Sequence, residues 1–276
     1  MPETPVQLPR RLVLLGHPVS HSLSPLFQQA ALDHLGIALR YEAQDVAPEA
    51  LADVLRAVRT ESAAGNITVP HKQAALQSCD VVTPLAQRVG AVNTFWTDAD
   101  GRLHGDNTDV GGFDAAVAAL LPRDLAGVRV LLLGTGGAAL AVREAVRGWP
   151  QAQLLVHARR DEQAAQFAAP LGARAKAVAL TPDVCADVDL VVNTTPLGLH
   201  PDDPHPLAPE SLGRGTAVLD LTYRRSGTTT WVSACRARGL RADDGLRMLV
   251  EQGALAFERW FRIPAPRATM LAAIGR

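Results

Sequence analysis

Lysine is scarce in this 276-residue chain: only two of its 27 basic residues are lysines, Lys72 and Lys176. Basic blocks are also missing and the formal net charge is −1, so the composition does not indicate a nucleic-acid partner. No apolar run approaches the roughly 18 residues that a membrane-spanning helix needs. We therefore expect neither nucleic acid nor a membrane as a partner.

Cysteine is scarce too. The three cysteines, Cys79, Cys185 and Cys235, lie far apart and show neither a C-x-x-C motif nor metal-ligand spacing. They are typical of incidental thiols in a reducing compartment, and we expect no metal site. The polar, proline-rich start "MPETPVQLPR" does not resemble a signal peptide. These features predict a cytoplasmic protein.

Apolar runs and helical patterns alternate through the first half of the chain. "RLVLLG" predicts a buried strand, followed by a helix with Ser24 as N-cap, Pro25 in its first turn and Gly36 as its stop. Pro70 is expected to open a later helix, and Asp100–Gly101 predicts the turn of a β-hairpin. Further strands are predicted at "YEAQDV" and "GNITV", and further helices at "PEALADVLRAV" and after "VTP". The alternation favours an α/β domain with a mainly parallel sheet.

A second series of strands and helices follows the helix "VGGFDAAVAALL", and we place the domain boundary inside or near this helix. Its predicted strands are "GVRVLLLG", "AQLLVHAR", "DLVVNT" and "TAVLDL". Helices are predicted at "GGAALAVREAVRG" and "DEQAAQFAAPLG", and a long amphipathic helix follows the last strand at "GLRMLVEQGALAFERWF". This recurring βαβ pattern is typical of a Rossmann-type doubly wound sheet.

A glycine-rich turn joins the first strand and helix of that second series. "VLLLGTGGAAL" places Gly134, Gly136 and Gly137 at the turn, with Ala139 at the third small position. Glycines let the backbone approach a pyrophosphate, and the following helix N-terminus offers free N–H groups to it. The strand before and the helix after favour a dinucleotide site over a ligand-free tight turn. The absence of a following G-K-[ST] disfavours a nucleoside triphosphate.

The next predicted strand ends in two arginines, Arg159 and Arg160. An NAD site usually has an acidic residue at this strand end, which binds the ribose 2′-hydroxyl, whereas arginine suits the 2′-phosphate of NADP. Asp161 is an alternative acid, but it is better placed as the N-cap of the next helix. The residues therefore favour NADP, although both arginines also fit a solvated strand end.

Polar residues follow the strand ends and loops of the first half. Because ligands bind beyond the carboxyl ends of parallel strands, we expect these side chains to converge on one cleft. They are Ser22, Ser24, Thr68, Lys72, Asn93 and Asp109. Hydroxyls, an amide, a cation and a carboxylate suit a small polyhydroxylated acid. Lys72 is the candidate acid–base group, because lysine, unlike arginine, can release its proton. Taken one at a time, all of these residues except Lys72 and Asp109 are better explained as helix caps, turn residues or ordinary strand residues.

Seven segments together resemble the shikimate dehydrogenase family, in the order that the family shows. They are "SHSLSP", "NITVPHK", "GAVNT", "GDNTD", "GTGGAA", "NTTPLG" and "DGLRMLVEQGALAFERW", and the likeness runs from about residue 11 to 262. The resemblance implies NADPH-dependent reduction of 3-dehydroshikimate to shikimate, a step of aromatic amino-acid (chorismate) biosynthesis. It also implies a small-molecule substrate and a monomer or homodimer.

The resemblance assigns roles to individual residues. Lys72 and Asp109 are implied to be the catalytic pair. The implied substrate-binding residues are Ser22, Ser24 and Tyr223 for the carboxylate and Thr68, Asn93 and Gln252 for the hydroxyls. The implied cofactor-binding residues are Gly134, Gly136, Gly137, Ala138, Arg159, Asn193, Thr194 and Gly245. The implied domains are a substrate domain of residues 1–110, completed by residues 246–276, and an NADP-binding domain of residues 111–245.

Some positions depart from the family pattern. Arg224 and Arg225 replace a proline-containing loop, Arg247 stands where glycine is usual, and Ala158 replaces an asparagine. These changes affect the expected cofactor preference more than the expected reaction. Two alternatives stay open: a quinate/shikimate dehydrogenase that uses NAD(P), and a dinucleotide-binding regulator without catalysis. A regulator of that kind should have lost Lys72 or Asp109, and both are present.

Overall fold

The computed structural model describes residues 8–200 and 202–276, which form two compact units. The first unit contains the described residues up to Gly112 together with Leu249–Arg276, and the second contains Phe113–Met248. The expectation about the N-terminal sequence concerns mainly residues 1–7, which lie outside the described residues. No helix of the described residues has the length and apolar character that crossing a membrane requires.

The described residues form twelve strands and eleven α-helices. The strands are β1 Arg11–Gly16, β2 Tyr41–Asp45, β3 Ala63–Ile67, β4 Val81–Val82, β5 Thr94–Thr97, β6 Leu103–Asp106, β7 Arg129–Leu133, β8 Gln153–His157, β9 Ala175–Ala177, β10 Leu190–Asn193, β11 Ala217–Asp220 and β12 Arg241–Asp244. The helices are α1 Ser24–His34, α2 Leu51–Thr60, α3 Lys72–Ser78, α4 Pro84–Val89, α5 Asp109–Leu120, α6 Gly137–Gly148, α7 Asp161–Ala168, α8 Pro182–Ala186, α9 Thr230–Ala237, α10 Leu246–Phe261 and α11 Arg267–Ala273.

The sheet of the first unit has the strand order β2-β1-β3-β5-β6-β4. Strand β1 pairs in parallel with β2 and β3, and β4 pairs in parallel with β6. Strand β5 is antiparallel to both β3 and β6. The predicted hairpin is therefore confirmed, with Asp100 and Gly101 in the loop between β5 and β6. The hairpin makes the sheet mixed, while its β2-β1-β3 part is the predicted parallel α/β arrangement.

Helices α1 and α10 cover one face of this first sheet. Phe27 of α1 and Phe257 and Trp260 of α10 are almost completely buried in one cluster with Leu12 of β1. The indole N–H of Trp260 donates to Thr94 Oγ1 at 3.1 Å, which ties α10 to β5. Side chains of this size contribute most of the favourable burial free energy of such a core. The C-terminal helix is thus built into the first unit.

Three predicted helix starts are wrong by one or two residues. Ser24 is the first residue of α1 rather than its N-cap, and its backbone N–H donates to Ser22 Oγ at 3.2 Å. Asp161 is likewise the first residue of α7, after Arg160 at the cap position. Pro70 lies two residues before α3, which begins at Lys72. Each segment is helical as predicted, and the shift is within the one or two residues over which helix ends fray.

The sheet of the second unit is fully parallel, in the order β12-β11-β10-β7-β8-β9. Taken from β9, this is the doubly wound order, in which the strand sequence reverses between β7 and β10. The predicted Rossmann-type fold is confirmed. Strands β9 and β12 at the two edges were not predicted.

Candidate active site

Lys72 and Asp109 form an ion pair in the first unit. Lys72 is the first residue of α3 and Asp109 the first residue of α5, and Lys72 Nζ donates to Asp109 Oδ2 at 2.6 Å. Their side chains are only 18% and 8% exposed, respectively. A charge-assisted hydrogen bond of this length, largely shielded from water, is a strong one. The pair places a proton donor beside a fixed carboxylate.

Asn93 connects this pair to the C-terminal helix. Its Nδ2 donates to Asp109 Oδ1 at 2.8 Å and lies 3.2 Å from Gln252 Oε1 on α10. Gln252 in turn donates from Nε2 to the carbonyl of Leu249 at 2.7 Å. The structure therefore brings Lys72, Asp109, Asn93 and Gln252 into one hydrogen-bonded group.

Thr108 orients Asn93, and sequence reasoning missed it. The Thr108 backbone N–H donates to Asn93 Oδ1 at 2.7 Å, and its Oγ1 lies 3.0 Å from Asn93 Nδ2. With Oδ1 held in this way, the amide group must point Nδ2 towards Asp109. The signal was present, because Thr108 directly precedes Asp109 in the "GDNTD" segment.

Asp106 stabilises the loop that precedes Asp109. It is 1% exposed and accepts hydrogen bonds from Asn107 N–H at 2.8 Å and Thr83 Oγ1 at 2.5 Å. Arg259 Nε on α10 completes its environment at 2.9 Å. A buried carboxylate requires such partners, so this arrangement fixes the loop in one conformation. Neither Asp106 nor Arg259 was singled out from the sequence.

Ser22, Ser24 and Thr68 lie beyond the carboxyl ends of the neighbouring strands β1 and β3. Ser24 is buried and Ser22 is half-buried, and the two are joined by the contact from Ser24 N–H to Ser22 Oγ. Thr68 donates its N–H to the carbonyl of Leu15 at 2.8 Å. These hydroxyl groups thus occupy the edge of the sheet at which parallel strands present ligand-binding loops.

The glycine-rich turn lies between β7 and α6 of the second unit. Gly134 has a φ of +97°, and a Cβ there would come within 2.8 Å of Thr194 Oγ1, so only glycine fits. A Cβ on Gly136 or Gly137 would meet no atom within 4 Å. Open space over the N-terminus of a twelve-residue helix fits the phosphates of a dinucleotide. Ala138 follows within the first turn of this helix.

Arg159 and Arg160 follow β8 and are both exposed. Arg160 Nη2 donates to Gln163 Oε1 at 3.3 Å. Asp161 starts the next helix, where a carboxylate is stabilised by the helix dipole. The strand end therefore presents guanidinium groups, which suits a 2′-phosphate.

The remaining predicted site residues of the second unit lie at or after the ends of β10, β11 and β12. Asn193 is completely buried, and Thr194 Oγ1 donates to the carbonyl of Leu133 at 2.8 Å. A Cβ on Gly245 would lie 2.4 Å from the carbonyl oxygen of Leu221, so this position also needs glycine. Tyr223 is half-buried in the second unit, three residues after β11 ends.

The departures from the family pattern are also in the second unit. Arg224 and Arg247 are half-buried and Arg225 is exposed. Within the described part of the chain, Arg224 Nε and Nη2 are enclosed without a hydrogen-bond partner. The structure does not explain why arginine occupies these three positions.

The fold and the glycine-rich turn define the class: an α/β protein with a Rossmann-type dinucleotide-binding domain. Two family models match this chain. Residues 14–95 match the shikimate dehydrogenase substrate binding domain, and residues 245–274 match the shikimate 5′-dehydrogenase C-terminal domain.

Whole-chain comparisons agree with these matches. A Methylobacterium radiotolerans protein named shikimate dehydrogenase (NADP(+)) is 40% identical, over 96% of this chain and 95% of its own length. A Thermus thermophilus shikimate 5-dehydrogenase, solved with NADP(H) and shikimate, is 39% identical with a TM-score of 0.83, covering 96% of this chain and 98% of that one. The chain belongs to the shikimate dehydrogenase family.

The fold is shared with an enzyme that acts on a related acid. Quinate dehydrogenase from Corynebacterium glutamicum, solved in complex with NAD, is 29% identical with a TM-score of 0.87. The alignment covers 95% of this chain and 97% of that one. Fold alone therefore does not decide between shikimate and quinate or between NADP and NAD.

Proposed function

We propose that this chain catalyses the NADPH-dependent, reversible reduction of 3-dehydroshikimate to shikimate. The observation that carries the proposal is the shielded pair Lys72–Asp109, joined to Asn93 and Gln252 within the first unit. A substrate with several hydroxyl groups and one carboxylate matches this set of donors and acceptors. The named relatives described above support the same substrate and cofactor.

Lys72 is the proton donor in this mechanism. As the substrate carbonyl oxygen becomes negatively charged, the ammonium group stabilises it by a hydrogen bond and transfers a proton to it. Asp109 keeps the ammonium in place. Its two oxygens accept about four hydrogen bonds in total, so the contacts from Lys72 and Asn93 leave room for a substrate hydroxyl.

The remaining polar residues bind and orient the substrate. The hydroxyl groups of Ser22, Ser24 and Tyr223 donate hydrogen bonds to the substrate carboxylate. Thr68, Asn93 and Gln252 bind its hydroxyl groups, and a bound hydroxyl replaces the 3.2 Å contact between Asn93 Nδ2 and Gln252 Oε1. Hydroxyl and amide side chains on strand ends and helices give the fixed orientation that a single reacting carbon requires.

The second unit binds the dinucleotide. NADPH supplies the hydride when it is bound. Gly134, Gly136, Gly137 and Ala138 hold the pyrophosphate at the N-terminus of α6, where open space and free N–H groups fit it. Arg159 holds the 2′-phosphate. Asn193, Thr194 and Gly245 line the nicotinamide region.

We also infer that the protein acts in the cytoplasm, as a monomer or a homodimer. All three cysteines are free, which is typical of a reducing compartment. Light scattering of the purified protein decides between the two oligomeric states.

The test is a set of initial rates with shikimate or quinate as substrate and NADP⁺ or NAD⁺ as cofactor. We expect the combination of shikimate and NADP⁺ to have the highest kcat/KM. Comparable rates for quinate with NAD⁺ would instead favour the quinate/shikimate type. A folded protein that binds NADP⁺ but oxidises neither acid would contradict the proposal and favour the regulator.

A further inference from the structure

Three neighbouring strands of the second unit end in a row of buried polar side chains. Asn193 ends β10, Asp220 ends β11 and Asp244 ends β12, and the three are direct neighbours in the sheet register. Each of them is 0% exposed. Polar groups at such positions are retained only when hydrogen bonds satisfy them. The hydrogen bonds of these side chains therefore identify the segments that they hold in place.

Every hydrogen-bonding group of the Asn193 side chain is paired with a neighbouring group of the protein. Its Nδ2 donates to the carbonyl of Leu197 at 3.0 Å and to Asp220 Oδ1 at 2.8 Å. Its Oδ1 accepts from Thr195 N–H at 3.0 Å and from Thr195 Oγ1 at 2.7 Å. An amide has two N–H donors and one oxygen that accepts two hydrogen bonds, so no capacity is left for a ligand. Asn193 instead shapes the loop of residues 194–198.

Asp220 holds Asn193 and two further segments. Besides the contact from Asn193, Asp220 Oδ1 accepts from Thr222 N–H at 3.1 Å and Thr222 Oγ1 at 2.8 Å. Its Oδ2 accepts from Thr229 Oγ1 at 2.7 Å, and Thr229 also caps α9. Burial raises the pKa of Asp220, and these donors oppose that change. One carboxylate thus joins the ends of β10 and β11 to the start of α9.

The loop that Asn193 shapes lies against the glycine-rich turn. Thr194 donates to the carbonyl of Leu133, the last residue of β7, from its N–H at 2.9 Å and its Oγ1 at 2.8 Å. A Cβ on Gly134 would meet Thr194 Oγ1 at 2.8 Å and Thr195 Cγ2 at 3.0 Å. A shift of this loop must therefore alter the surroundings of the turn.

We propose that Asp220 is a positioning residue for dinucleotide binding, which acts through Asn193 by holding residues 194–198 against the glycine-rich turn. The inference rests on the proposed function in one respect, namely that this turn binds NADP. Asp220 itself does not contact the dinucleotide. Asp220 maintains the shape of the loop of residues 194–198, which receives the dinucleotide.

The test compares Asp220→Ala with Asp220→Asn. Alanine removes every contact of the carboxylate, and we expect the KM for NADP⁺ to rise roughly tenfold, the effect of losing one or two buried hydrogen bonds. The KM for shikimate should rise less than that for NADP⁺, because Tyr223 is the only proposed substrate-binding residue that lies in the second unit. Asparagine keeps an oxygen for Asn193 and Thr222 and an N–H₂ group facing Thr229, so it should recover most of the affinity.

Val191→Ala is the matched control for general destabilisation. Val191 is fully buried in β10, two residues before Asn193, and its truncation leaves a cavity without removing a hydrogen bond of the loop. We expect its KM for NADP⁺ to stay close to that of the wild type. If this variant raises the KM as much as Asp220→Ala does, or if Asp220→Ala leaves it unchanged, the inference is wrong.

Thr195→Val provides a second test if Asp220→Ala does not fold. It removes the hydroxyl that donates to Asn193 Oδ1 and accepts from Leu197 N–H, outside the buried row. The KM for NADP⁺ should rise severalfold and return towards normal in Thr195→Ser. An unchanged KM in Thr195→Val would contradict the inference. Fluorescence titration of the wild type with NADPH separates the two proposals, because failure to bind NADPH contradicts the proposed function itself.

Discussion

Replacing Lys72 by arginine separates the charge of this residue from its ability to release a proton. Arginine can keep the ion pair with Asp109, but a guanidinium does not give up a proton at any working pH. Alanine removes both properties and leaves Asp109, which is 8% exposed, without its cation. Such a loss is costly for stability, so arginine is the cleaner test of catalysis.

The expected loss of kcat follows from the role of Lys72 as general acid and from the shielding of the Lys72–Asp109 pair from water. General acid catalysis is worth about 10²–10⁴-fold in rate, or roughly 2.7–5.4 kcal/mol in activation free energy. The Lys72 side chain is only 18% exposed, so bulk water has little access with which to replace the lost donor. We therefore expect both Lys72→Ala and Lys72→Arg to lower kcat by at least about 10²-fold, with a small change in KM.

The assay follows NADPH by its near-ultraviolet absorbance in both reaction directions. Lys176, the other lysine of the chain, is exposed on β9 and provides matched controls. Lys176→Ala and Lys176→Arg should keep the wild-type kcat. A small primary amine added to Lys72→Ala should restore part of the rate. A Lys72→Arg enzyme that retains more than about a tenth of the wild-type kcat would refute the assignment of Lys72 as proton donor.

Three further predictions follow from other contacts. Arg159→Ala should raise the KM for NADPH about tenfold or more and leave that for NADH unchanged, because only NADPH carries the 2′-phosphate; steady-state kinetics measure both. Gly65→Ala should lower the free energy of unfolding by about 3 kcal/mol in urea titrations, because a Cβ there would lie 1.8 Å from the carbonyl oxygen of Val13. Burial raises the pKa of Asp98, but hydrogen bonds from His104 and Arg102 outweigh it and lower the value from 3.8 to about 2. The stability that ionised Asp98 gives to the folded protein is therefore complete above its unfolded-state pKa of 3.8, and it is lost as the pH falls through about 2. The difference in unfolding free energy between wild type and Asp98→Asn should therefore shrink as the pH falls from 3.8 to about 2.

Each of these predictions has a contradicting result. Equal losses with NADPH and NADH in Arg159→Ala would mean that Arg159 does not recognise the 2′-phosphate. A Gly65→Ala protein of wild-type stability would mean that β1 and β3 separate easily at this point. A difference between wild type and Asp98→Asn that stays constant down to pH 2 would mean that Asp98 is not stabilised by its neighbours.

The sequence was sufficient to predict the segments with strong local signals. The apolar run of β1, the Asp100–Gly101 hairpin and the glycine-rich turn before α6 all occur as predicted. Strands β9 and β12 were missed because they are short, and their sequences "AKA" and "RADD" lack an apolar run. They are strands because β8 and β11 offer open edges with which to pair, and a local pattern does not contain that information.

The candidate site was predictable in its principal residues but not in its supporting ones. Lys72 and Asp109 stood out by residue type and by resemblance, and the structure places them in contact. Thr108, Asp106 and Asp220 act through hydrogen bonds to residues brought close by folding. An aspartate at a strand end has the same local sequence signature whether it binds a ligand, caps a helix or holds a neighbouring loop.

The most direct test of the central claim is a crystal structure of the protein with shikimate bound. We expect the hydroxyl group to be oxidised to lie within hydrogen-bond reach, about 2.6–3.2 Å, of Lys72 Nζ. We also expect a neighbouring hydroxyl to contact Asp109. Shikimate bound away from this pair, or with its carboxylate on Lys72, would contradict the mechanism.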